Sequence, residues 1–341
     1  MKKAYLLFCL IMSSLTVTSY AQEEDSAIII MYHRFGESKY PSTNITLDQI
    51  DQHIAELSKE QYNIVPLKEV VDAIKSGKKL PPRTIAITID DGFLSVYEEA
   101  WPRFKKAGFP VTVFVSTEPV SAEFDTMMSW DHVREMAQDP LIDIGHHAHA
   151  HGHMSSMSIE AAVDDLDTAD RIFMKELGYI PDLFAYPFGE YSPELVKAIE
   201  DRNYKAIFGQ HSGAISSTHN INALPRFAFN ENYSDMGRVR LIFNARALPV
   251  KDVLPRDPNI GTDNPPAIGF TVNPEITGLT SLGCFPSHTG EAAELTLLGD
   301  NRVELRFDQP FPNGRSRINC TMPGPDGRWY WLGLPFFNLN N

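Results

Sequence analysis

The sequence predicts an α/β domain built on a parallel sheet or barrel, followed by a small antiparallel β domain. Three observations carry this. Strand-like and helix-like segments alternate from about residue 27 to residue 208. One strand, Thr-Ile-Ala-Ile-Thr-Ile at residues 84–89, is apolar or β-branched throughout, as a strand buried on both faces should be. After about Val250 the alternation stops. Pro255, Pro258, Pro265 and Pro266 lead into short runs separated by turn signals.

Taken in order, residues 27–32 form a short apolar strand that ends in His33-Arg34-Phe35-Gly36. Thr46 caps a helix to about residue 59, with Gln49 completing a capping box and Leu47, Ile50, Ile54 and Leu57 on one stripe. A strand at 63–65 precedes a helix at 67–75, stopped by Gly77. Leu80-Pro81-Pro82 is a rigid lead into the strand at 84–89. A helix at 93–107 ends at Gly108, and a buried strand follows at 111–115. Ser129 caps a helix to 137, and a strand at 141–145 runs into a histidine cluster. Ser158 caps a long helix to 177. Then come a strand at 183–186, a helix at 192–201 and a strand at 204–208. Five later runs, at 268–272, 294–298, 302–307, 316–321 and 328–332, make the antiparallel domain. Its Trp329, Tyr330 and Trp331 suit either a sugar-stacking face or, more commonly, a sandwich core.

Residues 1–21 have the form of a secretory leader. Lys2 and Lys3 precede an apolar stretch, and Ser19 and Ala21 supply small residues for cleavage. The stretch is too short and too polar for a good membrane span, so no stable span is expected after cleavage. Export to the periplasm, the cell envelope or the medium is expected. Cys284 and Cys320 would then be the remaining cysteines, and an even pair in an exported chain predicts a disulfide. The formal net charge is −14, which repels nucleic acid and anionic membranes.

Asp90 and Asp91 end the strand at 84–89, where α/β folds gather their chemistry. Adjacent carboxylates repel, so a site that holds both needs a metal or a shared proton. Gly92 lets the chain turn sharply there. His146, His147, His149, His151 and His153 fall within eight residues after another strand, which signals a metal site. A loose metal-binding tract is the competing reading.

Together these segments resemble the polysaccharide deacetylase (NodB-homology) family of metal-dependent carbohydrate esterases. The family's Thr-Phe-Asp-Asp-Gly is Thr88-Ile89-Asp90-Asp91-Gly92 here. Its histidine motif is Ile144-Gly145-His146-His147-Ala148-His149-Ala150-His151, and its Arg-x-Pro-Tyr-Gly is Ala185-Tyr186-Pro187-Phe188-Gly189. Met31-Tyr32-His33 is similar to the opening strand of one branch. The resemblance covers roughly residues 27–230. It implies a distorted (β/α) barrel with fewer strands than a closed eight-fold barrel. It divides the mature chain into a catalytic domain at 22–250 and a β-rich domain at 251–341. It also implies that Asp91, His147 and His151 hold one divalent ion, most often Zn2+, with Co2+ or Ni2+ as alternatives. Asp90 would be the general base, and Pro187 and Phe188 would face the substrate, with the Phe188 amide serving the oxyanion. One carboxylate and two imidazoles suit such an ion and leave room for water. A bound ion activates water, and a carboxylate beside it can take the proton.

Three departures stand out. Ala185 replaces the arginine that orients the base, and the fourth motif has no match. The fifth motif, which supplies a general acid, reads Leu224-Pro225-Arg226 without a histidine. His33, His149, His153 and His211 are the available acids. His33 leads because it also sits at a strand's exit. Arg226 is expected to contact Asp90 in place of the lost arginine. The leading function is removal of N-acetyl groups from an extracytoplasmic N-acetylglucosamine-type polysaccharide or oligosaccharide. An O-acetyl esterase, a metal-containing glycan-binding protein and a histidine-tract metal store are the alternatives.

Overall fold

A computed structural model describes residues 23–339. The leader expected at 1–21 lies outside the described residues. The centre is a parallel sheet. Its strands run in the order Phe227–Ala228, Ala27–Tyr32, Thr84–Ile89, Val111–Val115, Ile142–His146, Leu183–Ala185 and Ala206–Phe208. Asn63–Ile64 adds a short parallel pairing at the head of Thr84–Ile89. The two ends of the path are not paired with each other, and only an isolated parallel bridge from Phe208 to Leu224 reaches into the gap. The sheet is thus a distorted, open barrel.

The register explains where the polar residues emerge. Ala27–Tyr32 and Thr84–Ile89 are buried at every residue, and they pair from Ala27↔Thr84 to Tyr32↔Ile89. His33 and Asp90 therefore leave the sheet side by side. The Asp90 amide donates to the Tyr32 carbonyl at 2.9 Å. On the next strands Val115 pairs with His146, and the His147 amide donates to the Val115 carbonyl at 3.1 Å.

The helices follow their caps. Thr46 and Gln49 form the capping box of Leu47–Leu57, and Ser158 caps Ile159–Leu177. Ser129 caps Trp130–Met136, with the His132 ring closing the box. Gly77, Gly108 and Gly178 close helices in the left-handed conformation. The helix expected from residue 93 runs from residue 94, widening at Val96–Ala100 before Trp101–Ala107. Phe93 bridges to Met127, and the Leu94 amide donates to the Thr126 carbonyl. The strand Phe227–Ala228 and the helix Met236–Phe243 have no counterpart in the sequence reading.

Two four-stranded sheets follow. One is ordered Arg246–Ala247, Trp329–Asn338, Gly314–Pro323 and Gly283–Pro286. The other is ordered Val250–Leu254, Ile268–Val272, Arg302–Leu305 and Leu295–Leu298. Their pairings are antiparallel except where Arg246–Ala247 joins Tyr330–Trp331. A shared core that includes Leu248, Phe270, Val303, Ile318 and Phe336 lies between them. The aromatic triplet splits. Trp331 is buried edge-on to Phe227 of the barrel at 5.0 Å, Tyr330 packs on the sandwich core, and Trp329 stays exposed. Barrel and sandwich are tightly joined. Arg328 forks onto buried Glu24 at 2.8 and 2.9 Å. A β-carbon at Gly333 would stand 1.6 Å from the Ser212 carbonyl oxygen, so only glycine permits that approach.

Cys284 and Cys320 face each other on neighbouring strands and form a disulfide across 36 residues. Closing a loop of that length removes about 3–4 kcal/mol of chain entropy from the unfolded state. Replacing both cysteines with serine should lower stability by that order, measured by chemical denaturation. The wild type in reductant should match the variant.

Candidate metal and catalytic site

The site is built where two strands end. Asp91 follows Thr84–Ile89, and His147 and His151 follow Ile142–His146. One donor atom from each lies within 4.8 Å of the others. His147 Nε2 and His151 Nε2 stand 3.2 and 3.0 Å from Asp91 Oδ1. His147 Nδ1 is 2.7 Å from the Ala185 carbonyl oxygen. A carbonyl can only accept, so Nδ1 carries a proton and Nε2 is the ring nitrogen that faces Asp91. Both Asp91 Oδ1 and His147 Nε2 are buried without a hydrogen-bond partner. A carboxylate oxygen and a ring nitrogen so placed are suited to share a cation. Ligand atoms about 2.0–2.1 Å from a tetrahedral zinc ion stand roughly 3.3 Å apart, so the donor set fits such an ion. Burial would raise the Asp91 pKa, but His147 and His151 hold it well below the usual carboxylate range. Burial would lower that of His151, yet Asp91 and Asp90 raise it above its ordinary value.

The histidine tract divides its labour. The Asp165 carboxylate accepts the amides of His149 and Ala150 at 2.8 and 3.0 Å, and Thr117 Oγ1 meets His149 Nδ1 at 2.8 Å. Buried His146 accepts the Ala148 amide at 3.0 Å and faces Asp170 at 3.2 Å. His153 lies flat on the Phe188 ring at 4.0 Å. Only His147 and His151 of the tract join the metal-binding cluster; the others hold or line the loop. Asp91, Ala148, His151 and Phe188 all have left-handed φ, at 78°, 63°, 51° and 58°. Side chains rarely adopt that conformation, and its concentration here marks a site the surrounding structure enforces.

Asp90 is fully buried and Arg226 grips it with two 2.7 Å hydrogen bonds. Arg226 also donates to the Gly209 carbonyl at 3.0 Å and to Thr88 Oγ1 at 3.2 Å. Burial would raise the Asp90 pKa; Arg226, then His147 and His33, bring it below the ordinary value. Asp90 is therefore ionised, and each oxygen keeps a further lone pair. Half-buried His33 feels both aspartates, but loss of solvent dominates and lowers its pKa, so it rests neutral at pH 7. The Gln210 amide nitrogen is 3.3 Å from His33 Nε2. His211 lies deeper, and burial, with the charges of His219, Arg317 and Arg226, pushes its pKa down to about 3.

Pro187–Gly189 forms a tight turn beside the cluster, with Phe188 4.7 Å from the His151 ring. A β-carbon at Gly189 would sit 2.3 Å from the Gln210 amide, so glycine is required. Buried Glu190 accepts from His153 at 2.9 Å and from Ser155 at 3.2 Å. Arg315, from the sandwich, donates to the Phe188 carbonyl at 2.9 Å and to Gln210 Oε1 at 3.2 Å. Asp165, Glu190, Gln210 and Arg315 are absent from the sequence-based list. Their residue types are ordinary, and Arg315 lies 127 residues from the turn it braces.

This open barrel carries one carboxylate and two imidazoles at its rim, a donor set that suits a divalent ion. Residues 77–207 match the family model described as polysaccharide deacetylase. A poly-beta-1,6-N-acetyl-D-glucosamine N-deacetylase of Staphylococcus aureus (strain MRSA252) is 25% identical over 235 residues, covering 62% of this chain and 81% of that protein. The fold matches the Streptococcus pyogenes deacetylase PplD in complex with acetate, with a TM-score of 0.56 and 23% identity, covering 61% of this chain and 94% of that one. It also matches IcaB from Ammonifex degensii, with a TM-score of 0.56 and 21% identity, covering 65% and 98%.

Two outcomes follow from the geometry. Arg226→Ala leaves Asp90 buried and unpaired, so stability should fall by about 3–5 kcal/mol by denaturation. Arg226→Lys should recover only part, because an ammonium cannot fork onto a carboxylate. Ligand histidines must be deprotonated to bind an ion. Zn2+ affinity, measured by competition with a chelator, should therefore fall about tenfold for each pH unit below the raised His151 pKa.

Proposed function

We propose that the protein removes N-acetyl groups from an N-acetylglucosamine-type polysaccharide outside the cytoplasm. The observation that carries this is the pairing of an ionised, arginine-held Asp90 with the adjacent Asp91–His147–His151 cluster. The 25% identity to an enzyme named for poly-beta-1,6-N-acetyl-D-glucosamine supports the substrate class. The Cys284–Cys320 disulfide fits an oxidising compartment. Among the described residues no helix is long and apolar enough to cross a membrane.

A divalent ion held by Asp91, His147 and His151, zinc first and cobalt or nickel as substitutes, supplies the Lewis acidity that makes water nucleophilic near neutral pH. Asp90 accepts the proton as water adds to the acetamide carbonyl. The Phe188 amide donates to the oxyanion, and the Pro187–Phe188 turn lines the acetyl group. The carbon–nitrogen bond then breaks, and the amine leaves with a proton from His33. Because His33 rests neutral, that proton is the one water gave up, passed on from Asp90. The products are acetate and a free glucosamine amine. In this reading 22–250 is the catalytic domain, and the β-rich 251–341 supports it through Arg315.

The test is acetate release by the zinc- or cobalt-loaded chain from β-1,4 and β-1,6 N-acetylglucosamine oligomers, peptidoglycan fragments and acetylated xylan. Release from the N-acetylated oligomers should fall at least a hundredfold in Asp90→Asn, whose metal content stays the same. Release from xylan alone would replace this reading with an O-acetyl esterase. Tight metal binding with no release from any substrate would leave a glycan-binding protein.

A further inference from the structure

The chain carries a formal charge of −14, yet arginines collect along one side of the site. Arg315 and Arg317 share the outward face of Gly314–Pro323, because Ser316 and Ile318 between and beyond them are buried. Arg238 sits in the first turn of Met236–Phe243, with its guanidinium 5.5 Å from the Tyr233 ring and 5.9 Å from that of Phe229. Among the described residues, the side chains of Arg238 and Arg317 have no carboxylate within 4.0 Å. Arg315 faces Glu190 Oε1 at 3.8 Å, while His153 and Ser155 engage Glu190 Oε2.

The positive groups act on one another. Loss of solvent and the charge of Arg315 lower the Arg317 pKa, with Tyr233 a smaller opposing influence. Loss of solvent and the charge of Arg317 lower that of Arg238, against the pull of Asp235, whose side chain is already used to cap the helix. Like charges in that arrangement favour the arrival of an anion. Tyr233, 54% exposed, supplies a flat apolar surface among them. It belongs to the same rim as the catalytic groups: it lies just past Phe229, whose amide donates to the Met31 carbonyl beside His33. The row ends inward at Arg315, which touches the Phe188 carbonyl and Gln210.

We propose that Tyr233, Arg238 and Arg317 form a subsite for an acidic sugar of the polymer, flanking the residue that is deacetylated. The ring stacks on the sugar face and the two guanidiniums bind its carboxylate, or a phosphate or sulfate in the same place. The polymer is then an N-acetylated glycan with regularly placed anionic groups rather than a neutral homopolymer. This deepens the deacetylase reading and rests on it. The same charges repel the ammonium groups of already deacetylated stretches, so the enzyme favours unprocessed segments.

Calorimetry on the zinc-loaded full chain tests this with two length-matched oligosaccharides. One is an N-acetylglucosamine homo-oligomer; the other alternates N-acetylglucosamine with glucuronic acid. The acidic oligomer should bind at least tenfold more tightly at low salt, and the advantage should shrink in 0.3 M salt. Arg238→Gln with Arg317→Gln should abolish the advantage while leaving the neutral oligomer's affinity and the melting temperature unchanged. Arg238→Lys with Arg317→Lys should keep most of it. Equal affinity for the two oligomers, or an acidic preference that survives the glutamine pair, would overturn the subsite. Acetate release is read separately. An acidic preference without release would keep the subsite and remove the deacetylase reading.

Discussion

A carboxylate oxygen and an imidazole nitrogen that face each other in the interior set the terms for the rest of the barrel. Asp91 Oδ1 and His147 Nε2 are 3.2 Å apart, buried and without a hydrogen-bond partner. Such an arrangement persists only because the surroundings fix each partner. The Ala185 carbonyl holds the other ring nitrogen of His147. The parallel register delivers Asp91 and His147 at the ends of the two strands that flank Val111–Val115, and Asp165 ties down the loop that returns His151. The left-handed backbone at Asp91, Ala148, His151 and Phe188 belongs to the same constraint. A divalent cation held there would relieve it.

Beside it, a second electrostatic problem is solved differently. Asp90 is deeper than Asp91, and its side-chain hydrogen bonds come from Arg226. Its charge is kept by a guanidinium that matches the carboxylate atom for atom. Alanine at 185 removes the arginine seen in relatives with the full motif, and Arg226 reaches the same carboxylate from another strand. A charge pair is a matter of where groups meet in space, and more than one chain position can supply it.

Much of this was legible in the sequence for identifiable reasons. Continuous β-branched runs such as Thr84–Ile89 can only be buried strands, and Thr46, Ser129 and Ser158 announce their helices. The Asp90-Asp91-Gly92 and histidine motifs sit at strand ends, so local reading drew attention to the segments from which Asp91, His147 and His151 come together. What escaped depends on contacts between distant segments. Phe227–Ala228 is two residues long and exists through its partner Ala27–Tyr32. Arg315 reads as a solvated charge on an edge, yet it braces the Phe188 turn. Trp331, taken for a sugar platform or a sandwich core, belongs to the barrel because its strand crosses against Phe227. The sandwich is thereby packed directly on the barrel, and at Gly333 its backbone lies too close to Ser212 for a β-carbon.

Arg226 stands 136 residues after the carboxylate it serves. A ribosome releases the chain from its amino end, so the aspartates and the histidine tract emerge long before their supports. Until Arg226 arrives, Asp90 has no counter-charge with which to enter the interior. Until the last strands arrive, the Phe188 turn has no brace. Nascent chains that stop short of the sandwich carry the Asp91–His147–His151 cluster without the contact that braces the Phe188 turn. The site is completed only by the last part of the chain to be made.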